Sequence, residues 1–102
     1  MAIKKEYEKS RHICNITFTL PEEVAGSAKR VHLVSSFNQW NHADTPMKKA
    51  KNGSFSVSVN LPAGKQYEFR YLLDGSRWVN DPDADKYVPT VFGFAENSVV
   101  II

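Results

Sequence analysis

Period-two alternation dominates this chain and confines it to folds built from strands. Cys14, Ile16, Phe18 and Leu20 alternate with Asn15, Thr17 and Thr19 until Pro21 ends the run. Successive strand side chains point to opposite faces, so this spacing sets one apolar row against a core and one polar row against solvent. Phe55, Val57, Val59 and Leu61 repeat the pattern between Asn52-Gly53 and Pro62-Ala63-Gly64. Tyr67, Phe69, Tyr71 and Leu73 repeat it again up to Asp74-Gly75. The short Pro/Gly turn between these last two runs predicts an antiparallel hairpin. Val31 and Leu33 open a further strand, Trp78-Val79 marks a short one, and Ser98 to Ile102 closes as a buried one. Pro21 to Arg30 has room for one helical turn at most. Short strands with turn signals about every ten residues predict an all-β sandwich. Phe18, Val31, Leu33, Val57, Val59, Phe69 and Tyr71 are its expected core.

At 102 residues the chain is long enough for one domain with a real core and too short for a second, catalytic unit. The expected division is a charged, loosely ordered segment over residues 1–11 and a single domain over residues 12–102. The net charge of +2 is small, and the basic residues are split between Lys4, Lys5, Lys9, Arg11 and Lys48, Lys49, Lys51. This speaks against a nucleic-acid partner. No stretch is apolar enough for a signal peptide or a membrane span, so the expectation is a cytoplasmic protein without a membrane partner. Cys14 is the single cysteine. It stands in an apolar row and reads as a buried thiol rather than half of a disulfide.

The chemistry concentrates in Val31-His32-Leu33-Val34-Ser35-Ser36-Phe37-Asn38-Gln39-Trp40-Asn41, where an apolar strand runs into a polar turn. A tryptophan flanked by amides has what a sugar platform needs: a ring to cover the C–H face of a pyranose and groups to pair with its hydroxyls. A tryptophan is as often largely buried. On this stretch alone the two readings stand level.

In order and spacing the chain resembles the family 48 carbohydrate-binding modules, the early-set domain of isoamylases, glycogen-branching enzymes and the β subunit of AMP-activated protein kinase. The resemblance runs from about Cys14 to Ile102. It rests on Val31-x-Leu33-x-x-x-Phe37-Asn38-x-Trp40, Pro46-Met47-Lys48, Gly53-Ser54-Phe55 and Leu61-Pro62-x-Gly64. It continues through Tyr67-x-Phe69-x-Tyr71-x-x-Asp74-Gly75, Trp78, Asp81-Pro82 and Asn97-Ser98-Val99-Val100. It implies an immunoglobulin-like β-sandwich of about seven antiparallel strands. It also implies that α-glucan is held by Trp40, Arg70, Trp78 and Asn97. Arg70 sits on the opposite side of its strand from Tyr67, Phe69 and Tyr71, so it faces out if they face in, with several donors for hydroxyls. The chain departs from the family pattern in having Ser35 where glycine is usual before the turn. It also has one extra residue between Gly75 and Trp78, and a divergent loop from Thr90 to Glu96, where Phe92 and Phe94 could serve as sugar contacts or as core.

Catalysis is not expected. Glycoside hydrolysis needs two carboxyl groups flanking a bond; Asp74, Asp81, Asp83, Asp85 and Glu96 supply carboxylates, but a sandwich this small has little depth for a cleft. There is no Gly-x-Ser-x-Gly nucleophile elbow. Asp81-Pro82-Asp83-Ala84-Asp85 imitates the start of a calcium loop, yet Lys86 and Phe92 occupy the positions that require glycine and glutamate. His12, His32 and His42 show no zinc spacing. No cofactor and no metal are expected. The function that emerges is non-catalytic binding of α-1,4-glucan, as glycogen, starch or maltooligosaccharide, with a glycan-processing enzyme as a possible protein partner. The alternative is a protein-interaction or regulatory scaffold that has kept the fold without strong sugar binding, or a partner subunit of a glycoside hydrolase.

Overall fold

The computed structural model describes residues 3–8, 12–90 and 95–102. Two antiparallel sheets face each other. The first takes β1 (Ile3–Glu8), β2 (Ile13–Leu20), β5 (Phe55–Pro62) and β4 (Lys48–Lys49), in that spatial order. The second takes β3 (Val31–Ser35), β6 (Gln66–Leu73), β9 (Glu96–Ile101) and β8 (Lys86–Pro89), with β7 (Arg77–Val79) beside the far end of β6. A single helical turn, Glu22–Ala25, follows Pro21. Among the described residues no helix is long and apolar enough to cross a membrane.

The alternation in β2 works as its sequence requires. Cys14, Ile16, Phe18 and Leu20 are fully buried. The opposite row faces out and pairs with β5, Asn15 Nδ2 donating to Asn60 Oδ1 at 2.8 Å and Thr17 Oγ1 lying 2.7 Å from Ser58 Oγ. Across the core the inner row of β6, Phe69, Tyr71 and Leu73, is buried with Val31, Leu33 and Val100. Phe18 and Phe69 meet edge to face with centroids 5.0 Å apart, the arrangement the ring quadrupoles favour. Val57 and Val59 pack against this core but are only half-buried, less than expected.

The predicted hairpin does not form. β5 pairs with β2 and β4, whereas β6 pairs with β3, β9 and β7, so the Pro62-to-Lys65 connection carries the chain from one sheet to the other. The cause lies in the turn's backbone bonds, which go elsewhere: Ala63 N–H donates to His12 O, Gly64 N–H to Ile102 O, and Ile102 N–H to Lys65 O. The segment expected to be loose is also corrected over Ile3–Glu8, which pairs residue for residue with β2. Lys5 fastens it to the other sheet, its ammonium bonding Asp85 Oδ2 at 2.8 Å and Ile101 O at 2.9 Å. The strand around Trp78 is present as expected. β8 carries no clear alternation in sequence, and Pro89, which lacks an N–H, is tolerated because the strand is at an edge.

Asp81 fixes the end of the second sheet from inside. It is fully buried, accepts from Tyr71 Oη at 2.6 Å and from Asp83 N–H at 2.7 Å, and its own N–H donates to Ser98 Oγ at 2.9 Å. Tyr87 Oη donates to its carbonyl. Burial pushes the Asp81 carboxyl up despite these donors, and burial beside it pushes the Tyr71 hydroxyl well above its ordinary range.

Candidate functional site

The outer face of the second sheet carries the site, and strand register assembles it. Arg70 stands opposite Val34, and Leu72 lies between His32 on one side and Trp78 on the other. Val99 stands opposite Glu68, which places its alternate neighbour Asn97 on the same face. Val34, Leu72 and Val99 are buried although they belong to this outer row.

Trp40 is supplied by the turn after β3. Ser35, fully buried, accepts the Phe37 N–H on its hydroxyl at 3.3 Å and donates that hydroxyl to Glu68 O at 2.7 Å. Serine in the place of the family's glycine thus ties the turn to the neighbouring strand. Asn38, also buried, has its amide fully occupied: Oδ1 accepts Ser35 N–H at 3.0 Å, and Nδ2 donates to Leu33 O and Thr45 Oγ1, each at 3.0 Å. Beyond it Gln39 and Trp40 both have φ of 56°, and Trp40 N–H donates back to Ser35 O at 2.9 Å. Left-handed backbone costs a residue other than glycine about 1–2 kcal/mol. Two in succession hold the indole at the rim, where it is 37% exposed. The choice left open by the sequence therefore falls to the surface.

Arg70, Trp78 and Asn97 line a groove of about 750 Å³ together with Trp40. All four residues implied by the resemblance line it. The Arg70 guanidinium lies over the Trp78 ring, 5.5 Å from its centroid, and the His42 ring meets the same indole edge to face at 5.1 Å. The extra residue before Trp78 leaves the ring within the groove. Arg70 Nε is buried without a hydrogen-bond partner among the described residues. Asn97 donates from Nδ2 to Glu68 Oε1 at 3.0 Å.

Glu68 and His42 were not singled out as site residues from the sequence. Glu68 had a legible signal, since it lies two positions before Arg70 on the same strand face. His42 had none, because its partner Trp78 is distant in the chain. Thr90 and Ala95 also line the groove; Phe92 and Phe94 lie outside the described residues.

Asp74, Asp81, Asp83, Asp85 and Glu96 do not line the groove. Among the described lining residues Glu68 is the one acidic side chain. Two of the three aspartates that imitate a calcium loop are engaged within the protein, Asp81 by the Tyr71 hydroxyl and Asp83 N–H, and Asp85 by Lys5 and Ile101 N–H. Among the described residues no group of three or more metal-ligating side chains comes together.

Comparison with known proteins bears on the same region. The pattern of the glycogen recognition site of AMP-activated protein kinase matches residues 11–101. Protein PTST homolog 2, chloroplastic, from Arabidopsis thaliana is 40% identical over 75 residues, which is 74% of this chain and 13% of that protein. The chloroplastic/amyloplastic 1,4-alpha-glucan-branching enzyme of Oryza sativa subsp. japonica is 30% identical over 69 residues, 61% of this chain and 8% of the enzyme. The chain thus spans a small part of the length of either relative. With the match extending across both sheets, the chain belongs to the family of the glycogen recognition site of AMP-activated protein kinase.

Proposed function

We propose that the groove binds α-1,4-glucan, as glycogen, starch or maltooligosaccharide, by stacking glucose units on Trp40 and Trp78. Membership of a glycogen-recognition family supports carbohydrate binding, and the chemistry of the groove supports this finer reading. Its exposed indole presents an apolar plane to the C–H face of a pyranose. Arg70 and Asn97 offer donors for hydroxyls from paired strands. The observation that carries the proposal is the presence of Trp40, Arg70, Trp78 and Asn97 in the lining of one groove.

The same groove supports binding without cleavage. Hydrolysis needs an acid and a second carboxylate on either side of the bond, and the described lining supplies Glu68 alone. Retardation of the pure protein in a native gel containing glycogen, against a gel without it, tests binding. Maltoheptaose is expected to survive incubation intact. Migration unaffected by glycogen would refute the sugar reading, and steady release of shorter sugars would refute the non-catalytic one.

The branching-enzyme relative is a catalyst by name, and the matched part is a small fraction of it. On that basis the partner of this chain is a glycan-processing enzyme.

A further inference from the structure

We propose that Glu68 is a specificity-determining contact of the groove, accepting a hydrogen bond from a hydroxyl of the glucose unit that Arg70 donates to. The inference rests on the glucan reading above and extends it to a residue which that reading does not use. Glu68 lies two residues before Arg70 on the outer face of β6 and lines the same groove. Its backbone is anchored at both polar atoms: the N–H donates to Ser36 Oγ at 3.2 Å, and the carbonyl accepts Ser35 Oγ at 2.7 Å. The carboxylate therefore projects from a fixed base. One of its oxygens, Oε1, accepts Asn97 Nδ2 at 3.0 Å, which orients the group. The other oxygen has no partner among the described residues.

Arg70 and Glu68 carry opposite charges on one strand face, yet no ion pair joins them; those among the described residues are Lys4–Glu6 and Lys5–Asp85. Each keeps its capacity for a third party. A guanidinium can only donate and a carboxylate can only accept. A vicinal pair of sugar hydroxyls does both, donating a hydrogen bond to Glu68 and accepting one from Arg70. Charge-assisted bonds are shorter and about twice as strong as neutral ones. A site built to accept a hydroxyl hydrogen bond leaves its own acceptor unpaired with any ligand that lacks one, and this is the strongest form of discrimination available to a small groove.

The competing role is structural, with Glu68 acting only by holding Asn97 in place. Glu68→Gln separates the two. Its amide oxygen still accepts from Asn97, while its other terminal atom changes from an acceptor to a donor. Calorimetric titration with maltoheptaose is carried out on the wild type, Glu68→Gln and Glu68→Ala, with a thermal melt of each. Direct recognition predicts about tenfold weaker binding by Glu68→Gln at unchanged melting temperature, with no rescue relative to Glu68→Ala. Binding by Glu68→Gln at wild-type strength would overturn the proposal and leave the glucan reading intact. A wild type that does not bind maltoheptaose at all would overturn both.

Discussion

The guanidinium of Arg70 lies over the indole of Trp78, 5.5 Å from the ring centroid, although the two residues reach the groove on different strands. The contact occupies the charge in part without satisfying its hydrogen bonds, since a ring face attracts a cation but accepts Nε–H poorly. It pre-orients the donor at little entropic cost to a ligand.

Loss of this donor has a defined signature. Arg70→Ala is expected to weaken maltoheptaose binding by about 1.5–3 kcal/mol, the range for a hydrogen bond involving a charged group. Because the sugar is neutral, affinity measured calorimetrically across a salt series stays nearly flat. A steep fall with salt would point to a polyanionic ligand.

The aromatics divide by role. Trp40, at the rim, is expected to lose about 1–3 kcal/mol of glucan affinity on substitution by alanine, with little change in stability. Phe69, fully buried against Phe18 and Tyr71, is expected to cost about 3–5 kcal/mol of folding free energy when cut to alanine. Urea unfolding and sugar titration of both variants read the two effects separately.

Tyr71→Phe tests the buried network at the end of the sandwich. Removal of the hydroxyl leaves Asp81 Oδ2 without its donor in a buried site, which costs about 1–3 kcal/mol. Denaturant unfolding is expected to show that loss. Glucan affinity should persist, because Tyr71 points away from the groove face.

Acid stability depends in part on Asp74. The backbone N–H groups of Arg30 and Lys29 both donate to its Oδ1 at 2.9 Å and hold its carboxyl below the usual carboxylate value. A carboxyl lowered in the folded state contributes stability above its unfolded value, near pH 4, and loses it as pH falls through the folded value. Asp81, raised by burial, has the opposite slope. Asp74→Asn also tolerates the left-handed backbone there, with φ of 51°. The expected outcome is a shallower decline of melting temperature below pH 4 in Asp74→Asn than in the wild type. Parallel curves would count against the Asp74 contribution.

The alternations in β2 and β6 were enough, read from the sequence, to establish a sandwich, to send Phe18, Phe69 and Tyr71 inward and to turn Arg70 outward. Side-chain period two depends only on the local backbone, so it survives in any sheet the strand joins. The identity of the neighbouring strand is another matter. Short apolar runs pair acceptably with many partners, and a Pro/Gly turn serves a hairpin or a crossing between sheets equally well. Only the bonds from Ala63 to His12 and from Gly64 to Ile102 chose the crossing. Lys5 likewise is fastened to the other sheet by Asp85, a partner no local pattern could name. The same holds in the groove. The family resemblance pointed to Trp40, Arg70, Trp78 and Asn97, but the bond from Asn97 to Glu68 and the His42 edge on Trp78 arise from long-range register. Local periodicity sets which way a side chain points; what it meets there depends on which distant strands the closed core brings beside it.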